Sequence, residues 1–244
     1  MQVIILGSGP GLPSLDKKQS AILTEIHGEN ILFDCGEGTS STFLKMDKDP
    51  DFLDSIVISH MHPDHSSGLP MLIQMLYLQN RTKLLSIYTP ESPIRFIRLL
   101  HDFYLFEDRF NFALEIKPMS SLPTDYPFIS IFKSNHLDGY YEIIQKCKLD
   151  NEMNSYSYIL NENDRKVVYT SDISTLEHLC DYANKVDTFI VDAVHLPLAE
   201  LKCILTNDIK RIILSHGISN EIKDFIETNQ ISGVELAQEG KEIL

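Results

Sequence analysis

Basic residues are scarce in this chain. Lysine and arginine number 21 against 35 aspartates and glutamates, a formal net charge of −14 over 244 residues. Such a surface repels phosphate backbones and speaks against tight, non-specific binding of long nucleic acid. It leaves room for a local basic groove and for bound divalent cations, which would offset part of the charge in one place. Cysteine is sparse too. Cys35, Cys147, Cys180 and Cys203 include no C-x-x-C pair, and their spacing suggests no secreted disulfide framework. They are expected to be buried apolar thiols in a reducing compartment. No apolar run is long enough for a signal peptide or a membrane span. Met1-Gln2-Val3-Ile4-Ile5-Leu6 runs directly into glycine and has no basic flank. Low-complexity tracts and long linkers are also missing. These absences predict a cytoplasmic protein with no membrane partner. With 43% hydrophobic and 23% charged residues, the chain can bury a substantial core.

Histidine, by contrast, is concentrated in one place. The run His60-Met61-His62-Pro63-Asp64-His65 has four metal-ligand side chains in six positions. Packing explains this poorly, because imidazole costs free energy to bury without partners. Neutral imidazole nitrogen and carboxylate oxygen are the donors preferred by zinc and its first-row neighbours. The run therefore predicts a metalloenzyme.

Hydrophobic patterning places this run in a fold. Val3–Leu6 reads as a strand followed by the turn-rich Gly7–Pro13. Ala21–Ile26 and Asn30–Phe33 read as a hairpin across His27-Gly28-Glu29. Ser55–Ser59 is a continuous apolar run, which predicts a buried strand ending at the histidines. Pro63 blocks a helical continuation through His62. Helices are expected over Ser67–Leu78, Ser92–His101, Thr175–Tyr182, Pro197–Leu205 and Asn220–Thr228. Further strands are expected over Leu84–Tyr88, Phe128–Phe132, Tyr156–Leu160, Val167–Thr170, Thr188–Val191 and Arg211–Leu214. Strands that alternate with helices in two β-rich halves predict an α/β class. No sequence repeat relates the halves, although they could still be structural cousins.

Four more polar residues sit just past expected strand ends: His136, Asp172, His195 and His216. In layered α/β folds such ends converge along one edge. His60, His62 and His136 would supply three nitrogens to one ion. Asp64, His65 and His216 would serve a second, and Asp172 would bridge them. Two ions about 3.5–4 Å apart would hold a hydroxide, because coordination lowers the pKa of bound water toward about 7. His60 and His62 are two apart in an extended segment and so point the same way. Asp64 and His65 are adjacent and so reach different sides. Asp172 could instead cap the following helix, and His136 and His216 could be turn residues; the ligand reading is preferred because they complete the set. His195 is open between two roles: a proton donor to a leaving group, or a cap for the helix at Pro197. His27, His101 and His178 fit surface turns or helices. Position 12 is leucine, so Gly7–Gly11 does not satisfy G-x-G-x-x-G and reads as a turn, with its loop beside the cleft.

The H-x-H-x-D-H run, followed by a lone histidine, a lone aspartate and a final histidine, resembles the metallo-β-lactamase superfamily over nearly the whole chain. Asp34, in Leu32-Phe33-Asp34-Cys35-Gly36, matches that family's first motif, where the aspartate buttresses the metal-binding loop. The resemblance implies one metallo-β-lactamase-like domain over residues 1–244, folded as a four-layer αβ/βα sandwich. It also implies two divalent ions, zinc by default with manganese or iron open, bound by His60, His62, Asp64, His65, His136, Asp172 and His216. Asp64 and His195 are the expected catalytic residues. The opening strand and turn, and Tyr140 after His136, are similar to the tRNA 3′-end nuclease (RNase Z)-like and cyclic phosphodiesterase-like branch. RNase Z enzymes usually carry a long tRNA-gripping arm between the third-motif histidine and the bridging aspartate. Here only 35 residues separate His136 from Asp172. The expectation is thus a hydrolase of a small or cyclic nucleotide-like phosphodiester. A carboxylic ester, lactone or thioester hydrolase on the same centre is the alternative, and a non-catalytic metal-stabilised binding module ranks below both. A homodimer is left open.

Overall fold

The computed structural model describes residues 1–244, and the chain divides into two compact units. The first contains Met1–Leu122 together with Glu239–Leu244. Its sheet runs β1 (Gln2–Gly7), β2 (Ala21–Ile26), β3 (Glu29–Phe33), β4 (Ser55–Val57), β5 (Leu85–Thr89) and β6 (Leu114–Pro118), in that order. The first two pairings are antiparallel and the remaining three parallel. His27 and Gly28 join β2 to β3 with φ of 52° and 83°. Consecutive positive φ values suit the right-handed twist of a hairpin. β4 and β5 are buried along their whole length, as central parallel strands with both faces covered must be.

Helices α1 (Thr39–Met46), α2 (Pro63–Ser66), α3 (Leu69–Leu78) and α4 (Pro93–Asp102) belong to this unit. α3 buries Leu69, Leu72, Ile73 and Leu76, the i, i+3, i+4, i+7 stripe of an amphipathic helix. These side chains join Leu32, Ile56, Ile58 and Ile87 in one apolar core. The last six residues return to β1. Ile4 bridges Glu242, and the amides of Gly240 and Ile243 donate to Ile5 and Val3. Glu239 Oε1 accepts the amides of Ser8 (3.2 Å) and Lys18 (2.8 Å), which closes the neck of the glycine-rich loop.

The one-turn helix α5 (Leu122–Asp125) leads to the second unit, Pro123–Gln238. Its strands are β7 (Ile129–Lys133), β8 (Tyr156–Glu162), β9 (Arg165–Tyr169), β10 (Thr188–Asp192), β11 (Ile212–Ser215) and β12 (Val234–Leu236), in the order β12-β11-β10-β9-β8-β7. β7, β8 and β9 pair antiparallel, and β9 to β12 pair parallel. This is the plan of the first unit again, without detectable sequence repetition. Helices α6 (Tyr141–Cys147), α7 (Leu198–Ile204) and α8 (Asn220–Asn229), and a 3₁₀ turn over Glu177–Tyr182, accompany the sheet. Leu179, Phe189, Leu201, Ile204 and Leu214 are among its core.

Two expectations change here. The segment over Thr175–Tyr182 closes as a 3₁₀ turn from Glu177, not as an α-helix from Thr175. Of the cysteines, only Cys35 is buried; Cys147, Cys180 and Cys203 are exposed. Their helices are short and present the cysteine faces outward, so the general preference of free thiols for interiors is overridden by position.

Candidate metal centre

In the first unit, strand register sets the ligand loop. Phe33 pairs with Val57, so the residues that follow, Asp34 and Ile58-Ser59-His60, leave the sheet side by side. Asp34 takes a left-handed backbone (φ 59°) with its side chain fully buried. Its Oδ1 accepts the amide of Ser59 at 2.8 Å. His65 Nδ1 donates to Asp34 Oδ2 at 2.9 Å. A carboxylate in that position keeps the His65 proton on Nδ1 and the lone pair on Nε2, the form in which imidazole binds a cation.

The backbone adds to this frame. The Cys35 amide donates to His65 O (2.7 Å), and the Gly68 amide donates to Cys35 O (2.9 Å). Gly36 lies so close that a Cβ there would stand 2.2 Å from Asp64 O, so only glycine fits. Pro63 opens α2 at its first position, with His62 extended before it. Asp64 and His65 therefore lie on a helical turn rather than in a loop. The rings of His60 and His62 meet edge to face at 4.7 Å, and those of His60 and His65 lie 4.2 Å apart. His65 Nε2 is 3.6 Å from Asp64 Oδ2. The four motif residues thus cluster, as their spacing predicts. A Cβ on Gly11 would lie 3.4 Å from the Asp64 carboxylate, which sets the glycine-rich loop against this side chain.

In the second unit, the parallel register Val167↔Thr188 and Asp192↔Ser215 aligns the C-terminal ends of β9, β10 and β11. Asp172, His195 and His216 follow those three ends. His136 follows β7. Asp172 is buried, and its Oδ2 lies 3.2 Å from His216 Nε2, 3.5 Å from His136 Nε2 and 3.9 Å from His195 Nδ1. Ligand atoms bound tetrahedrally at roughly 2.0–2.2 Å stand about 3.3–3.6 Å apart. The spacing of the donor set around Asp172, and of the Asp64–His65 pair, fits divalent cations. Ser171 and His216 both hold left-handed backbones, φ 49° and 62°. Such conformations cost roughly 1–2 kcal/mol in an L-residue and tend to mark functional turns.

Sequence reasoning missed Asp192. It ends β10 and is buried. His195 Nδ1 donates to its Oδ2 at 2.7 Å. Its Oδ1 accepts the amides of Val194 (2.9 Å) and His195 (3.1 Å). His195 is 39% exposed while the Asp192 side chain is at 0%, so the dyad is a buried carboxylate orienting an accessible imidazole. This removes the capping role for His195: the N-cap of α7 is Pro197, and no side chain caps it. Asp172 likewise caps nothing, because the 3₁₀ turn begins at Glu177 with Leu176 before it. His178 is half-buried rather than superficial. Its Nε2 lies 3.0 Å from Ser157 Oγ, and burial pulls its pKa down.

Comparison with known proteins agrees with this fold. A family described as Anti-Pycsar protein Apyc1 matches residues 1–243. Ribonuclease Z of Methanosarcina mazei is 30% identical over 165 residues, 68% of this chain and 50% of that protein. Ribonuclease Z of Thermococcus gammatolerans is 29% identical over 230 residues, 80% of this chain and 73% of that protein. The chain spans about half the length of the Methanosarcina relatives it matches. Among solved structures, the metallo-β-lactamase fold protein YhfI from Bacillus subtilis superposes with a TM-score of 0.74 at 19% identity, covering 99% of this chain and 98% of that one. The short form of human tRNase Z gives 0.72 at 22%, covering 100% and 99%. The α/β class and the metallo-β-lactamase fold expected from the sequence are both found.

Proposed function

This chain belongs to the Anti-Pycsar protein Apyc1 family, in the RNase Z-like branch of the metallo-β-lactamase superfamily, and on that footing we propose a metal-dependent hydrolase of small phosphodiesters, cyclic nucleotide-like compounds foremost. The observation that carries the reading is Asp172 with its surrounding imidazoles, at the separations that divalent coordination demands. In this reading His60, His62, Asp64, His65, His136, Asp172 and His216 together hold two divalent ions, with zinc favoured by the histidine majority and manganese or iron tolerated by the carboxylates. Bound ions of this kind supply positive charge for phosphoryl oxygens and bring the pKa of water toward about 7.

The protein's own groups do the rest. Asp34 and the backbone of Cys35 hold the His65 ring in place, so the donor set is formed before substrate arrives. Asp64, wedged between His65 and the Gly11 turn, is both ligand and orienting carboxylate. Asp192 fixes the His195 ring through Nδ1–H, and in its imidazolium form the exposed ring hands its Nε2 proton to the departing oxygen of the ester. A proton donor is needed most when the leaving group is a sugar hydroxyl of high pKa.

Small substrates are favoured over tRNA. The segment between His136 and Asp172 is used up by α6, β8, β9 and their turns, and the charge of −14 opposes a polyanion. The test is a panel of bis-p-nitrophenyl phosphate, 3′,5′-cyclic nucleotides, lactones and glutathione thioesters, run on wild type and His62→Ala. Phosphodiester turnover that disappears in a folded His62→Ala protein is the expected result. Turnover confined to lactones or thioesters would move the reaction to acyl carbon. Undiminished activity in the variant would end the metal mechanism.

A further inference from the structure

Cys180 and Cys203, both expected in the interior, instead line one cavity of about 460 Å³ in the second unit, walled by Leu179, Phe189 and Ile204. Cys180 lies in the 3₁₀ turn Glu177–Tyr182, and Cys203 lies on α7. The two segments are already joined along this seam, since the Leu176 amide donates to Glu200 Oε2. Residue 180 stands one turn beyond 176, where its Sγ donates to Leu176 O at 3.4 Å. Residue 203 stands one turn beyond 200. Both cysteines face the same cavity, and the Cys203 sulfur is near enough to act electrostatically on the Cys180 thiol.

We propose that Cys180 and Cys203 form an oxidation site, a thiol pair that hydrogen peroxide converts to a disulfide across the cavity. The Cys203 thiolate attacks one peroxide oxygen; the S–O bond forms, the O–O bond breaks, and hydroxide leaves and takes up a proton. Cys180 then attacks the sulfenyl sulfur; the S–S bond forms, the S–O bond breaks, and a second water leaves. Two thiols and one peroxide give one disulfide and two waters. The order follows from surroundings. Partial burial, the Cys203 sulfur and the carboxylate of Glu200 all push the Cys180 thiol up, which suits it to resolve rather than to attack first. The bridge would bind the turn that follows Asp172 to the helix that follows His195. A 3₁₀ run of six residues is unusually long, and its hydrogen bonds are poorer than those of an α-helix. Oxidation would immobilise this one.

Treatment of the full-length protein with peroxide, followed by intact mass and a non-reducing peptide map, tests the site. The expected result is a loss of two hydrogens and a Cys180–Cys203 cross-link in wild type and in Cys147→Ser. The link is absent in Cys180→Ser and Cys203→Ser and is reversed by a phosphine reductant. Amide exchange over residues 176–184 slows by about tenfold or more in the oxidised protein. Separate sulfenic or sulfinic acids, bridges through Cys147 between molecules, or a link that leaves exchange unchanged would overturn the proposal. None of these readouts depends on the substrate assignment.

Discussion

Asp34 holds the Ser59 amide and the His65 ring with different oxygens, so the two contacts can be separated by substitution. Asp34→Asn keeps a carbonyl oxygen for one and presents an amide NH₂ to the other. Asparagine also tolerates the left-handed backbone better than most residues. If the NH₂ faces His65, the proton moves to Nε2 and that nitrogen ceases to be a donor to metal. We expect zinc affinity to fall roughly 10–100-fold with the fold intact, read by competition against a chromophoric chelator alongside circular dichroism. Wild-type affinity in Asp34→Asn would remove the buttressing role. At the other cluster, His195→Gln should lower kcat by roughly 10²–10⁴ on cyclic nucleotides. Its effect on bis-p-nitrophenyl phosphate should be much smaller, because p-nitrophenolate leaves without a proton. Asp192→Asn should follow the same pattern, with metal content unchanged in both. Equal losses on the two substrates would assign His195 to metal binding or structure instead.

Between α1 and β4 the chain makes an acidic loop, and its anchor is electrostatic. Asp51 accepts the amides of Thr82 (2.7 Å) and Lys83 (2.8 Å) and the Thr82 hydroxyl (2.7 Å). The Lys83 amide contributes most, and together these donors pull its pKa from 3.8 down to about 2. Arg81, fully buried beside it, donates to the carbonyls of Pro50, Leu53 and Leu84. Because the folded-state pKa is lowered, the Asp51 contribution is whole above about pH 4 and lost as pH falls through about 2. Urea melts should show Asp51→Asn slightly less stable at pH 7, with the gap to wild type closing between pH 4 and 2. A gap that does not change with pH would mean the carboxylate charge has no part in the anchor. Elements of this kind explain what could be read beforehand. β4 announced itself through the apolar run Ile56-Val57-Ile58, and α3 through its stripe. α1 escaped because Thr39-Ser40-Ser41-Thr42 reads as a turn. β6 escaped because its residues are half-exposed and it ends in proline, and β12 because it is three residues long. The clustering of His60, His62, Asp64 and His65 was legible because rare residue types recur at short offsets, and that of His136, Asp172 and His216 because each stands just past a strand end. Asp192 was not, since an aspartate at a strand end is ordinary until the turn brings His195 back onto it.

For the whole molecule, a charge of −14 is the background against which ligand binding acts. Each unit buries carboxylates of its own, Asp64 in the first and Asp172 in the second, and divalent cations binding only the folded chain would relieve the repulsion. Chelation should therefore lower the thermal midpoint, and zinc added back should raise it in proportion to the logarithm of free zinc. A midpoint indifferent to chelator and zinc would exclude a resident ion. The duplicated sheet plan belongs to this scale as well: the likeness lies in strand order and direction, which tolerate almost complete replacement of side chains.

The grip of Glu239 on Ser8 and Lys18 spans 231 and 221 residues of sequence. A ribosome adding roughly 5–20 residues per second leaves that loop unfastened for something like 10–50 s after its glycines emerge. Newborn chains would carry every imidazole of the first cluster long before the turn beside Asp64 is tied down. Fastening of that loop thus waits on the synthesis of residue 239.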